Sequence, residues 1–287
     1  MTQAPVSAAA ERGRPEAADA LDLLCKHILA NRFMPRPPAE SVFVGDGNFL
    51  PIGVEFLKWF VRAGNLTPHE RILDIGCGIG RMAVPLTQYV ESGTYDGVDV
   101  VPEGIAWCKQ NISSRYSNFR FHRLDLAHAI YNPAGVKTTT GLRLPFAENE
   151  FDFVFMTSVV THLYADEIRA YAREIRRVMA PNARLFVTTF MLNQPARDGL
   201  CAGRGHLAFD GKAPGPELYA DAANPLAAVA HDEDFLLGIF LEQGLRRNRP
   251  PIYGRWSGRT TPGQSFQDIN VLRIDPSLRP AIVSDAR

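Results

Sequence analysis

Residues 71–81 combine an apolar run with three glycines at alternate positions, Gly76, Gly78 and Gly80. Glycine permits a tight turn and, because it has no side chain, lets a ligand approach the main chain closely. A helical pattern follows at once, and the start of a helix presents free N–H groups. The spacing predicts a nucleotide-binding turn at the first strand–helix crossover. A turn that only packs the strand on the helix is the alternative left open.

The glycine spacing differs from that of a dinucleotide site. The pattern G-x-G-x-x-G, started at Gly76, would place its third glycine at position 81, where Arg81 stands. Asp74 lies two residues before the first glycine, and a carboxylate there would repel a pyrophosphate. It suits a ligand with an ammonium or sulfonium charge. An NAD-dependent oxidoreductase is therefore only a lesser alternative.

A second acidic residue, Asp99, ends a short apolar strand that begins near Tyr95. Asp99 follows Gly80 by 19 residues, close to where nucleoside-binding folds place the carboxylate that accepts the ribose hydroxyls. Pro102 then opens a new helix. Asp99 could instead cap that helix, and the two roles can coexist.

In this order, the motifs resemble those of class I S-adenosylmethionine-dependent methyltransferases. The segment from Asp74 to Gly80 resembles their first motif, and Asp99 the acid that ends their second strand. Residues 158–163 resemble the strand end that lines the active site, and residues 174–189 resemble the helix, turn and strand that follow. The similarity covers about residues 42–275. It departs from the family where Asn182-Ala183 replaces the usual pair of glycines, and in an insert between Asp125 and Leu144.

The resemblance implies S-adenosyl-L-methionine as the cofactor and S-adenosyl-L-homocysteine as its product. The residues expected to bind the cofactor are Asp74, Gly76, Cys77, Gly78, Gly80, Arg81, Asp99, Val100, Asp125, Leu126 and Ser158. In the family, the position of Asp125 often faces the adenine amino group. No histidine or cysteine spacing suggests a metal ligand set, so no metal is expected.

His162 follows the fourth predicted strand, at the sheet edge where open α/β folds bind ligands. It could act as a general base, or it could only orient a loop or cap the next helix. The residues expected to contact the methyl acceptor are Tyr131, Tyr164, Arg255 and Trp256. The loop that carries Arg255 and Trp256 could equally be a packed hairpin turn. Gln267 and Asp268, at the start of the last strand, are expected to face the pocket from the far side.

Composition narrows the class of protein. The chain has 287 residues, of which 46% are hydrophobic, and its 31 basic and 31 acidic residues cancel. Without a basic excess, nucleic acid is not an expected partner. Four widely spaced cysteines favour reduced thiols. No apolar run is long enough to span a bilayer, and the first residues do not resemble a secretory signal, so we expect a cytoplasmic protein without a membrane partner. The expected partner is a small-molecule acceptor, with a homodimer left open.

Strand and helix patterns alternate along the chain, which implies parallel pairing through right-handed crossovers. We expect strands at about 71–75, 94–98, 118–122, 151–157, 184–190, 246–253 and 267–274, and helices at about 81–90, 102–113, 165–180 and 234–243. The predicted fold is an α/β, Rossmann-like three-layer sandwich. Its seven-stranded, mostly parallel sheet ends in an antiparallel strand, a detail that only the resemblance supplies.

The predicted organisation has three parts. Residues 1–15 are expected to be a disordered tail, and residues 16–65 an N-terminal helical cap with helices over 16–33 and 54–62. The methyltransferase domain occupies 66–287, with an irregular insert at about 191–231. The cap could cover the cofactor or only the sheet edge, and the segment from Phe43 to Phe49 could fold over the nucleoside or be a linker.

The leading functional hypothesis is methyl transfer by in-line displacement to an oxygen or nitrogen of a small molecule, such as a sugar or another natural product. The alternative is a catalytically inactive accessory protein that binds S-adenosylmethionine or a nucleoside. Formation of the demethylated cofactor separates the two hypotheses.

Overall fold

The computed structural model describes residues 14–43, 45, 48–210, 215–259 and 265–278, with side chains in the first helix from residue 20 onward. The predicted tail over residues 1–15 lies outside this part of the chain, except that residues 14 and 15 begin a helix. In the described residues, no helix has both the length and the hydropathy needed to cross a bilayer.

Seven helices and ten strands are described within these residues. The helices are α1 (Arg14–Ala30), α2 (Phe49–Arg62), α3 (Ala83–Leu86), α4 (Pro102–Cys108), α5 (Ala165–Val178), α6 (Gln194–Cys201) and α7 (Glu233–Leu241). The strands are β1 (Arg71–Ile75), β2 (Thr94–Asp99), β3 (Phe119–Arg123), β4 (Phe151–Met156), β5 (Met179–Thr189), β6 (Met191–Leu192), β7 (Glu217–Tyr219), β8 (Val229–Asp232), β9 (Leu245–Arg247) and β10 (Asp268–Ile274). A π-helical turn continues α4 to Ser113.

The main sheet has seven strands in the order β3-β2-β1-β4-β5-β10-β9. Strands β1 to β5 pair in parallel, whereas β10 is antiparallel to both β5 and β9. The predicted fold class is therefore confirmed. Because the order reverses beside β1, the carboxyl ends of β1, β2 and β4 meet at one edge, where open α/β sheets bind ligands.

Helices cover both faces of this sheet and form two separate cores. Helices α1 to α4 pack on one face, and α5 and α7 pack on the other. Phe60 of α2 is fully buried, with ring centroids 4.4 Å from Phe155 and 5.0 Å from Phe186. The N-terminal helices thus share a core with the sheet, which makes them part of one helical layer. The boundary at residue 65 stays a prediction.

The stretch over 191–231 was expected to be irregular, and this expectation is wrong. It contains α6 and a three-stranded sheet in the order β6-β8-β7. A third apolar core, which includes Phe190, Leu200, Phe209 and Trp256, joins this insert to the main sheet. The strands have only two to four residues, too few for a period-2 pattern to stand out.

The expectation that Trp256 contacts the acceptor is also wrong, because its side chain is fully buried in this third core. Its indole Nε1 donates a hydrogen bond to Asp268 Oδ2 at 2.8 Å. Arg259 Nη1 forms an ion pair with Asp268 Oδ1 at 2.8 Å, and both side chains are almost fully buried. Arg255 lies over the Phe266 ring at 5.8 Å. The loop over residues 254–259 is the packed turn that was the alternative.

Trp256→Ala should therefore destabilise the fold. Removing a buried indole leaves a cavity and removes one of the hydrogen bonds to Asp268 Oδ2, so we expect a loss of about 3–5 kcal/mol in the free energy of unfolding. Urea unfolding measures this loss. Arg255→Ala, next in the chain and exposed, is the matched control and should change stability by less than about 0.5 kcal/mol. Equal stability of the two variants would contradict a structural role for Trp256.

Candidate functional site

The turn after β1 is held in a conformation that glycine adopts readily. Gly76, Gly78 and Gly80 have φ values of 80°, 54° and 79°. A Cβ on Gly76 would lie 2.3 Å from Val159 Cγ2, and a Cβ on Gly80 would lie 2.8 Å from Ile112 Cδ1. Both the backbone angles and the packing therefore require glycine at these two positions. The result is a closely packed turn at the sheet edge, in which Gly76 is partly exposed and Gly78 and Gly80 are buried.

Asp99 ties this turn to the end of β2. Its Oδ2 accepts a hydrogen bond from the Gly78 N–H at 2.7 Å, and its Oδ1 accepts one from the Val101 N–H at 2.8 Å. Gly76 and Cys77 donate their N–H groups to the Val98 carbonyl at 2.8 and 3.0 Å. Each carboxylate oxygen retains capacity for a further hydrogen bond. Burial raises the pKa of Asp99, an effect opposed by its backbone donors.

Asp74 lies deeper than the sequence suggested. Its side chain is fully buried, and Oδ2 accepts a hydrogen bond from the Tyr95 hydroxyl at 2.5 Å. Burial raises the pKa of Asp74 well above its ordinary value, which favours the neutral form. Among the described residues, Oδ1 has no hydrogen-bond partner. Asp74 Oδ1 is thus a buried acceptor beside the turn. Because burial favours the neutral carboxyl group, Asp74 balances the positive charge of a ligand less well than the sequence suggested.

The segment before α2 lies over the glycine turn. Arg81 Nη2 donates a hydrogen bond to the Gly45 carbonyl at 2.9 Å. A Cβ on Gly104, in α4, would lie 2.9 Å from Phe43 Cζ, so Phe43 touches the start of that helix. Positions 44, 46 and 47 of the segment lie outside the described residues.

A cavity of about 660 Å³ opens beside the glycine turn, between this segment, α4 and the insert after β3. Its walls include Ile79, Val101, Trp107 and Tyr131. Glu40 and Glu103 add two carboxylates to the lining. The cavity adjoins the Gly78 and Asp99 main chain, and it is large enough for part of a nucleoside-sized ligand.

The other cofactor candidates lie around the ends of β2 and β3. Val100 packs against the second core, and Leu126 is buried, with its carbonyl accepting a hydrogen bond from Asn132 Nδ2 at 2.8 Å. Asp125 is partly exposed and lies 3.3 Å from Arg123 Nη2. Cys77 is buried, and burial raises the pKa of its thiol well above its ordinary value, so its side chain stays neutral.

Tyr131 and His162, far apart in sequence, come together at the sheet edge. Their ring centroids are 5.5 Å apart with the rings edge-to-face. His128, which the sequence analysis missed, lies 5.1 Å from Tyr131 and has its Nε2 3.0 Å from the His162 carbonyl. Burial, together with the charge of Asp99, raises the pKa of Tyr131. Tyr164 lies at the start of α5 beside Tyr219, at 6.3 Å between ring centroids, and faces the insert.

Ser158, at the end of β4, belongs to a network of polar side chains of which only Ser158 and Gln267 were predicted from the sequence. Its N–H donates a hydrogen bond to Thr188 Oγ1 at 2.8 Å, and its Oγ accepts one from Gln267 Nε2 at 2.9 Å. The φ of Ser158 is 60°, a value uncommon for a residue other than glycine. A serine in this conformation leaves no pattern in the sequence, and neither does its hydrogen bond to Thr188. Thr188 was therefore not predicted to be a site residue.

The arrangement fits a nucleoside better than a metal ion. A glycine turn of fixed conformation and a carboxylate with spare acceptor capacity suit an adenosine ribose and its neighbouring chain. In the part of the chain that the structure describes, no group of three or more histidine, cysteine, aspartate or glutamate side chains could hold a metal ion.

Comparisons with known proteins agree with this geometry. Residues 73–187 match a family model described as a methyltransferase domain. The chain is 29% identical to a demethylmenaquinone methyltransferase of Thermus thermophilus over 137 residues, 47% of this chain and 54% of that protein. It is 27% identical to a fatty-acid O-methyltransferase of Mycolicibacterium smegmatis over 121 residues, 42% of this chain and 36% of that protein.

A solved structure shares the fold over most of the chain. The PH0226 protein of Pyrococcus horikoshii superposes with a TM-score of 0.55 at 15% identity, covering 82% of this chain and 95% of that one. The chain spans about half the length, or less, of the curated relatives it matches. The likeness therefore identifies the fold and the domain and leaves the acceptor open.

Asp99→Ala should weaken binding of S-adenosylhomocysteine. The change removes two carboxylate acceptors, and each hydrogen bond to a charged group contributes about 1.5–3 kcal/mol, so we expect at least about tenfold weaker binding. Isothermal titration calorimetry measures this. Asp125→Ala, at the more exposed rim, is the control and should lose less. Unchanged affinity of the Asp99 variant would exclude Asp99 from the site.

Proposed function

We propose that this chain, whose residues 73–187 match a family model described as a methyltransferase domain, is a class I S-adenosylmethionine-dependent methyltransferase that acts on a small molecule. The observation that carries the proposal is the glycine turn tied by Asp99. Its three left-handed glycines fix the turn with Gly76 partly exposed, and the carboxylate lies where ribose hydroxyls can donate to it. The glycine spacing, which departs from G-x-G-x-x-G, disfavours NAD.

The residues of the site have distinct tasks in this proposal. When bound, the cofactor supplies an electrophilic methyl group on a sulfonium, open to in-line displacement. The glycine turn and Asp99 bind the nucleoside and fix its direction along the sheet edge. Because Asp99 ends β2, the far end of the ligand points past β1 toward Ser158 at the end of β4. Fixing the geometry before reaction contributes to catalysis by reducing the entropic cost of alignment.

His162 is suited to accept a proton from the acceptor. Its Nδ1 lies 2.8 Å from the Leu226 carbonyl, which can only accept, so Nδ1 carries the hydrogen. Nε2 then has a free lone pair, and it has no hydrogen-bond partner among the described residues. Burial lowers the pKa of His162, which keeps the ring neutral near neutral pH. A base is needed only where the nucleophile carries a proton.

The acceptor in this proposal is a small molecule with an oxygen or nitrogen nucleophile, such as a sugar or another natural product. The aromatic side chains of Tyr131 and Tyr164 lie around His162 and the insert, where they can form walls for an organic acceptor. Two of the relatives are named for demethylmenaquinone and fatty acids, which are also small organic molecules.

Calorimetry and turnover test the proposal together. We expect saturable binding of S-adenosylmethionine and S-adenosylhomocysteine and none of NAD at matched concentration. With labelled cofactor and a small-molecule extract, we expect label in an acceptor and stoichiometric S-adenosylhomocysteine. Binding without any S-adenosylhomocysteine would indicate the inactive accessory protein instead, and NAD binding alone would overturn the proposal.

The pH dependence of kcat/KM tests His162 as the base. The neutral imidazole is the active form, so the rate should rise with pH and level off above a pKa that lies below the ordinary histidine value of 6.5. His162→Ala should lower kcat by about a hundredfold or more and remove this acidic limb, with S-adenosylhomocysteine affinity preserved. His69→Ala, on the exposed surface, is the control. An unchanged profile in the His162 variant would show that no proton passes to it.

A further inference from the structure

Ser158 occupies a strained position at the carboxyl end of β4. Its φ of 60° places a serine in the left-handed region, at a cost of about 1–2 kcal/mol relative to glycine. Such a conformation persists only when surrounding contacts support it. The following residue, Val159, packs its Cγ2 into the space that a side chain on Gly76 would occupy. The Ser158 turn and the glycine turn therefore fix each other's positions.

Gln267 provides the support for this turn from the opposite side of the sheet edge. Its Oε1 accepts a hydrogen bond from Thr188 Oγ1 at 2.5 Å, and its Nε2 donates one to Ser158 Oγ at 2.9 Å. Thr188 is fully buried and also accepts from the Ser158 N–H at 2.8 Å. Since Thr188 has one hydroxyl proton, it donates to Gln267 and accepts from Ser158, which fixes the orientation of the amide.

The network lies at the end of the site away from the nucleoside. Strand β4 pairs with β1 on the side opposite β2, and β5 and the start of β10 follow it. A ligand with its ribose at Asp99 therefore places its sulfonium end toward Ser158. Ser158 itself is exposed, and Gln267 is partly exposed, so both can reach a bound ligand.

We propose that Gln267 is a positioning residue for methyl transfer, which holds the left-handed Ser158 turn against the sulfonium end of the cofactor. This inference rests on the proposed function. It assigns to Gln267, which directly precedes β10 and lies outside residues 73–187, an indirect role in cofactor geometry. Gln267 acts through Ser158 and Thr188. Because its amide is neutral, it adds no negative charge near the sulfonium end of the cofactor.

A double-mutant cycle with S-adenosylhomocysteine, read by calorimetry, tests the support of Ser158. Gln267→Leu should weaken binding about fivefold or more, since both hydrogen bonds of the amide are lost and the strained turn is released. Glycine adopts φ near 60° without support, so in a Ser158→Gly background the same leucine substitution should cost less than about twofold. An equal loss in both backgrounds, or no loss in the first, overturns the proposal.

A charge substitution tests the location of Gln267. Gln267→Glu keeps an acceptor for Thr188 and can accept from the Ser158 hydroxyl, so the turn is retained. A carboxylate there should favour S-adenosylmethionine, which carries the sulfonium charge, over S-adenosylhomocysteine, which does not. We expect the ratio of the two affinities to rise about threefold or more. A purely structural glutamine would leave the ratio unchanged, and that result contradicts the proposal.

Gln194→Leu provides the matched control, because Gln194 is exposed on α6 and bonds only to Asp198 among the described residues. It should change neither affinity nor ratio. Failure of the proposed function is recognised separately, since the unsubstituted protein would then bind neither compound. If that protein binds both and the Gln267 variants behave like it, only the role of Gln267 is overturned.

Discussion

The hydrogen bond from the Gly78 N–H to the Asp99 carboxylate, at 2.7 Å, is the contact on which the site depends. It joins the ends of β1 and β2, next to the point between β1 and β4 where the sheet order reverses. Glycine at positions 76 and 80 makes the turn sterically feasible, and Val159 fills the space that remains. A turn of fixed conformation beside a carboxylate with spare acceptor capacity follows from this one arrangement.

Contacts from distant parts of the chain then enclose the site. The hydrogen bond from Arg81 to the Gly45 carbonyl holds the segment before α2 over the turn. The insert after β3 places Tyr131 beside His162. The far end of the edge is fixed by Ser158, Thr188 and Gln267. Strand β10 reaches the site because it pairs with β5 in antiparallel register, with Asp268 opposite Thr189. The same Asp268 anchors Trp256 and Arg259, which ties the insert's core to the strand that carries Gln267.

Sequence reasoning reached the fold because the signals for it are local. Alternating apolar strands and helices, the glycine turn and the acid ending β2 are all visible in short windows, and the structure confirms the seven-stranded sheet. Contacts between residues far apart in the sequence could not be predicted in this way. Trp256 looked available because aromatic residues beside arginines suit a binding loop, but Asp268 and Phe190 place it in a core. The left-handed Ser158 and the buried state of Asp74 depend on contacts with β5 and β2, which no local pattern encodes.

A crystal structure with S-adenosylhomocysteine tests the central claim most directly, that this sheet edge holds a nucleoside in one direction. The account predicts both ribose hydroxyls within hydrogen-bond distance of the Asp99 carboxylate, the ligand chain along the Gly76–Gly78 main chain and the sulfur on the Ser158 side. A ligand bound elsewhere, or an adenosine at Ser158 with its sulfur at Asp99, would contradict it.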